Sequence, residues 1–277
     1  MPKTQYKAEA EESIPGFGVV YRADAPWNEA LKALAEEGIK LPASIRQLAY
    51  AKIQAGKESS LCTNGSYTMH GVLSVSGKAP LFVRSFPLLR AELGRRAVKA
   101  NEQGRYFSTK DKKLYGQYLK IAEQDRKKPE GEKRVLVFPA SAQFDISGKE
   151  NPKFFVGAFE NKDAGQDYLD FIEQDSIGVY LVKEDIVNEI DGTIVTPVWL
   201  AGLGYRSALN CYNRGLDCGN RVRGVSEKPA LAGSQNFLYT SKDLREADSE
   251  LETLEGLLQK KVFTCSLRNL LGKLKGK

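Results

Sequence analysis

Five polar side chains between residues 113 and 127 fall into one helical row: Lys113, Gln117, Lys120, Gln124 and Lys127, spaced four, three, four and three. Residues with that spacing share a single face of an α-helix, and no acid interrupts this one. Lysine offers phosphate a point charge, and glutamine donates to phosphate or sugar oxygens. Upstream, Arg95, Arg96, Lys99 and Arg105 extend the positive field, while Tyr106 and Phe107 supply rings on which unpaired bases could stack whatever their identity. The chemistry implied is recognition of a polyanion, with nucleic acid the commonest kind. An acidic protein surface would satisfy the same charges.

Composition supports a local feature. Residues 78 to 134 carry a formal charge of +9, and the rest of the 277-residue chain carries −3. The expectation is a non-enzymatic nucleic-acid-binding protein, single-strand-binding or sequence-tolerant, that uses a basic helical face.

A second chemistry competes with it. Asp145 ends one segment, and the apolar run Phe154 to Phe159 leads into Glu160-Asn-Lys162. An acid followed by a strand carrying Glu-x-Lys is how several magnesium-dependent nucleases hold a metal and place a lysine at the attacked phosphate. The same acid-x-Lys spacing recurs at Asp111 and Asp125, where helix is expected, so the signal is weak. Asp163, Asp167 and Asp170 share a helical face, but acids at a helix start are explained by the macrodipole. A third reading is a structural or assembly subunit of a phage or accessory complex.

Other motifs exclude more than they assign. Gly202-Leu-Gly204 lacks the third glycine of a dinucleotide fingerprint, and there is no Gly-x-Ser-x-Gly elbow or phosphate-binding Gly-Lys-Ser/Thr loop. One histidine, His70, and four scattered cysteines give no zinc spacing and no disulfide framework, so buried reduced thiols are expected. No cofactor and no metal are expected. The start, Met1 to Glu12, lacks a secretory apolar segment, and no run approaches the roughly 20 apolar residues of a membrane span, which predicts a cytoplasmic protein without membrane contact.

The elements that must position these residues read as α+β, with a mixed or antiparallel sheet. Residues 1 to 16 are polar and expected to form a flexible tail. Strands are expected at 17–22, 66–75, 79–84, 135–138, 154–159, 177–182 and 193–199, and helices at 27–37, 42–55, 164–174 and 184–190. A basic helical hairpin is expected at 86–128, and residues 200–224 as a helix and a long irregular segment whose arginines, Arg206, Arg214, Arg221 and Arg223, make structural hydrogen bonds. His70, facing the same side as Thr68 and Ser74, is expected to be a surface or partly buried hydrogen-bonding residue. The globular domain then runs from 17 to 240. Amphipathic helices occupy 241–277, where Leu244, Leu251, Leu254 and Leu258 form a stripe that could pack in cis or join a protein partner or a second copy.

Overall fold

In a computed structural model, residues 6–86, 99–100, 107–111, 113–139, 142–203, 207–212 and 220–226 are described. All of them lie in one compact unit, 1–230, and a second unit, 231–277, falls outside the described residues. The stripe from Leu244 to Leu258 therefore also lies outside them.

Among the described residues twelve strands and seven α-helices follow one another: β1 (Glu9–Ile14), β2 (Gly18–Ala25), α1 (Trp27–Glu36), α2 (Ile45–Ala55), α3 (Ser60–Thr63), β3 (Ser66–Ser74), β4 (Leu81–Val83), β5 (Lys99–Ala100), β6 (Phe107–Thr109), α4 (Lys113–Gln124), β7 (Val135–Val137), β8 (Gln143–Ile146), α5 (Pro152–Phe159), α6 (Lys162–Ile172), β9 (Ile177–Tyr180), α7 (Glu184–Asn188), β10 (Thr193–Leu200), β11 (Ala208–Asn210) and β12 (Asn220–Ser226). Helices and a large mixed sheet make this an α+β fold.

The sheet is built on one long antiparallel pair, β3 with β10, and it forks on both sides. The free side of β3 meets β12 at Tyr67 and β4 at Gly71 to Leu73. The free side of β10 meets β6 at Thr193 to Val195 and β11 at Trp199 and Leu200. Pro197 sits at a register shift between these two partners, the kind of place where a strand tolerates a residue with no N–H. Beyond the forks the order runs β1-β2-β12 at one end and β11-β9-β8 at the other.

Strand alternation then separates two cores. Tyr67, Leu73, Leu81, Val83, Val195 and Trp199 face α1 and α4. Val72, Phe82, Val198 and Leu200 face α2, α5 and α6. Both faces of β3 are thus covered, and full burial of each large apolar side chain contributes about 1.5–3 kcal/mol. Helix α1 fits its groove because Trp27, Ala30, Ala33 and Leu34 fall on one stripe. It ends at Gly38, whose positive φ of 78° lets Gly38 N–H and Ile39 N–H return to the carbonyls of Ala35 and Leu34.

Several sequence expectations need correction. The tail contributes β1, which pairs with β2 from Glu9 to Ile14. Among the described residues the expected hairpin of helices is interrupted: Lys99–Ala100 pairs antiparallel with Phe107–Ser108 where helix was expected, and α4 is described from Lys113. Residues 87–98 lie outside the described set. Phe154 to Phe159 is helical, because an apolar run reads equally as strand or helix, and Pro152 at the first helical turn decides for helix. The end of the expected irregular segment, Asn220–Ser226, is β12, and Ala208–Asn210 is β11.

Candidate functional site

The expected basic face is the first place to look. Helix α4 buries Leu114 and Tyr115, with Tyr118, Leu119, Ile121 and Ala122 half-buried against the same core. Lys113, Gln117, Lys120, Gln124 and Lys127 are exposed, Lys127 just past the helix. The surrounding charge is less free than the sequence count implies. Asp125, buried beside the row, accepts from the Arg134 backbone and guanidinium, and Lys128 Nζ lies 2.9 Å away. Those bonds, with Arg134 contributing most, hold the Asp125 carboxyl far below the usual range despite the opposing effect of burial. Lys133 pairs with Glu130 at 2.6 Å. Arg95, Arg96, Arg105 and Tyr106 lie outside the described residues, and Lys99 is placed only as backbone in β5. Phe107 is buried in the α1/α4 core at 6% exposure, so its ring is a packing group and not a platform for bases.

The nuclease constellation does not assemble. Asp145 lies in β8, and Glu160 follows a helix, not a strand. Among the described residues no group of three or more His, Cys, Asp or Glu could hold a metal ion. Asp170 is turned to Gln166, 2.8 Å away, instead of joining Asp163 and Asp167. Cys62 and Cys211 are free and buried.

Among the described residues a cleft of about 770 Å³ lies elsewhere, between α2, α6 and the turn joining β1 to β2. Helix α2 gives it Arg46, Tyr50 and Ile53, spaced four and three. Helix α6 gives it Asp163, Ala164 and Asp167. Phe17, from the turn, packs against Tyr50 with ring centroids 4.9 Å apart. Both helix starts are closed by their own side chains. Ser44 and Gln47 form a reciprocal capping box on α2. Asn161 Oδ1 accepts from the N–H groups of Asp163 and Ala164 on α6, at 2.7 and 3.2 Å. Their N–H groups are therefore largely spent, and the cleft is not an anion nest. A neighbouring hollow of about 520 Å³, bounded by Glu37 to Pro42 and Val225, shares Gln47 and Met69 with it.

Strained backbone marks the cleft wall. Ser85 and Glu160, both lining it, are non-glycine residues with φ of 46° and 64°. Such conformations cost about 1–3 kcal/mol and persist where surroundings over-determine them. At Ser85 the determinant is His70, which is hydrogen-bonded as expected but fully buried, more than the surface or partly buried place expected, because both faces of β3 are covered. Ser85 N–H points at Nδ1 and Ile45 N–H at Nε2, each at 3.2 Å. A neutral imidazole has one acceptor nitrogen, so each tautomer satisfies one of the two. Burial first, and the charge of Arg84 second, push the His70 pKa down to about 3, so the ring is neutral. Glu160 Oε1 stands 4.0 Å from Nε2. Glu160 is held by the close approach of Gly131, where a Cβ would come within 2.3 Å of the Glu160 carbonyl oxygen. Arg84 in turn bonds the carbonyls of Gly131 and Lys133.

Arg46, Tyr50, Phe17 and Ser85 are functional candidates that sequence reasoning missed. The one available signal was the helical spacing of Arg46, Tyr50 and Ile53, in which Ile53 reads as core.

No family model matches the chain, and no curated protein matches it. Among solved structures, one concerned with the accommodation of massive sequence variation in Nanoarchaeota by the C-type lectin fold is similar in three dimensions, with a TM-score of 0.52 and 16% identity over 77% of this chain and 100% of the other. At that identity the likeness is one of fold. It corrects the expectation of a nucleic-acid-binding protein, which rested on a helical hairpin that a C-type-lectin-like fold does not contain. Among the described residues no helix is long and apolar enough to cross a membrane. What the comparison establishes for this chain is a mixed α+β architecture similar to the C-type lectin fold.

Proposed function

We propose that this chain is a recognition module that takes a small polar ligand into the cleft between α2 and α6. The observation that carries the reading is the cleft of about 770 Å³, within the range of small-molecule sites, walled by the two left-handed residues Ser85 and Glu160. The remaining support comes from chemistry. Aromatic and aliphatic surface from Phe17, Tyr50 and Ile53 lies beside Arg46, Asp163 and Asp167, the mixture of apolar area and a few polar groups that small-ligand sites use. The similar structure concerns the accommodation of massive sequence variation in Nanoarchaeota by the C-type lectin fold. A scaffold whose layers are fixed by core packing leaves its surface side chains available for recognition.

The test is a ligand-detected NMR screen of small polar compounds against the full chain and against Ala164→Trp, which fills the cleft from the first turn of α6. Binding that disappears in A164W, with thermal unfolding unchanged, is the expected result. An absence of binders, or binders indifferent to A164W, refutes the reading.

A further inference from the structure

The cleft holds opposite charges that do not meet. Arg46 projects from α2, while Asp163 and Asp167 project one turn apart from α6, all three exposed and all three lining the same space. Among the described residues none of them has an ion-pair partner within 4.0 Å, although other exposed charges do pair, as Lys57 with Glu173 and, on α1, Lys32 with Glu29. The fourth charge of the lining, Glu160, is already answered from behind by the field of Arg84. The gap between the two helices thus has a positive wall, a negative wall and, beside them, the tilted ring pair of Phe17 and Tyr50 with Ile53.

We propose that the cleft selects a zwitterionic ligand of the amino-acid type, with its carboxylate on Arg46, its ammonium on Asp163 and Asp167, and an apolar or aromatic side group against Phe17 and Tyr50; this rests on the recognition reading above. A ligand carrying only one charge leaves the opposite wall unanswered. A neutral one leaves both. The guanidinium takes a carboxylate in a bidentate fork, an ammonium has three donors to share between two carboxylates, and a cation over an aromatic face gains further. Arg46 and the two aspartates are therefore specificity determinants, not parts of the scaffold.

Four probes that share a phenylethyl group separate the charges: L-phenylalanine, phenethylamine, 3-phenylpropionate and 3-phenylpropanamide, each titrated near pH 7 into the ¹⁵N-labelled full chain. L-Phenylalanine is expected to shift amides of α2 and α6 at concentrations about tenfold lower than phenethylamine and 3-phenylpropionate, the difference one charge-assisted contact makes, and about a hundredfold lower than 3-phenylpropanamide, which lacks both. Arg46→Gln should bring L-phenylalanine to the level of phenethylamine, and the double variant Asp163→Asn, Asp167→Asn to that of 3-phenylpropionate. Equal binding of the amine or the acid, or an unchanged preference in R46Q, overturns the proposal. Silence from all four probes while other compounds bind in an A164W-sensitive way also overturns it, and leaves the recognition reading standing. Silence in both experiments removes both.

Discussion

Arg223 and Arg46 show two ways of treating the same side chain. Arg223, on β12, is fully buried, and every arm of its guanidinium is occupied: Nε and Nη2 on the Glu11 carboxylate, Nη1 on the carbonyls of Asn64 and Gly65, and Nη2 also on the Ser60 carbonyl. Glu11 reaches it because β1 has a register shift between Ala10 and Glu12, a bulge that re-aims the intervening side chain. Burial pulls the Glu11 carboxyl upward, yet the Arg223 and Ser60 hydrogen bonds and the nearby arginine charges outweigh that and hold it below its ordinary value. Arg46 stands in the open, across a cleft from carboxylates it does not touch. A charge with all its partners in cis fastens the fold, and a charge held apart from its complement is left for something else.

The largest effect should come from breaking the fastened pair. Arg223→Met leaves the Glu11 carboxylate with the Ser60 hydroxyl but without its paired cation and should cost about 3–5 kcal/mol in urea denaturation. A loss no larger than that of a surface substitution would mean that the interior tolerates an unpaired charge as easily as the cleft does.

The next tests use pH. Lys52 lies beneath Arg223, fully buried, with Nζ on the Ala201 carbonyl at 2.7 Å. Burial, and then the charge of Arg223, lower its pKa to about 7 from 10.5. Since the folded form releases its proton first, stability should rise with pH between about 7 and 10.5, and the full penalty applies below that window. From pH 7 to 8.5 the gain should be on the order of 1 kcal/mol, and Lys52→Met should flatten it. Above pH 9 the Cys62 thiol, raised by burial, works the other way. At the acid end Glu11, lowered on folding, contributes stability above about pH 4.5 that is lost as pH falls through its folded value. Glu11→Gln should therefore reduce the steepness of acid unfolding.

The smallest stability effects should be those of the cleft. Arg46→Gln and Asp167→Asn are each expected to shift unfolding by no more than about 0.5 kcal/mol, while changing ligand preference as described. A destabilisation as large as that of R223M would show the cleft charges to be structural and would erase the contrast.

Much of the scaffold was legible from pattern alone. The strand expected at 66–75 and the helices expected at 27–37 and 42–55 each match an element close to its observed bounds. What failed, failed for physical reasons. β12 is covered on both faces, so Val222 and Arg223 are adjacent and both fully buried, and no polar face marks it as a strand. Phe107 looked like a base-stacking ring because its neighbours are basic, and only its pairing with β10 shows that it points inward. The cleft was illegible because it needs α2, α6 and the β1–β2 turn side by side, elements separated by more than a hundred residues.

β12 also sets a constraint in time. It lies between β2 and β3, paired with the first from Asn220 to Ser226 and touching the second at Tyr67, so two strands made early are joined by one made about 195 residues after the first and about 145 after the second. As the chain leaves the ribosome, β2 and β3 must wait with their inner edges uncovered, and a strand edge waiting in that way is open to pairing with another chain. Growth under conditions that slow translation should therefore lengthen the interval in which the newborn protein depends on protection, and a chain cut short before Asn220 should be recovered in aggregates however well its first half is packed.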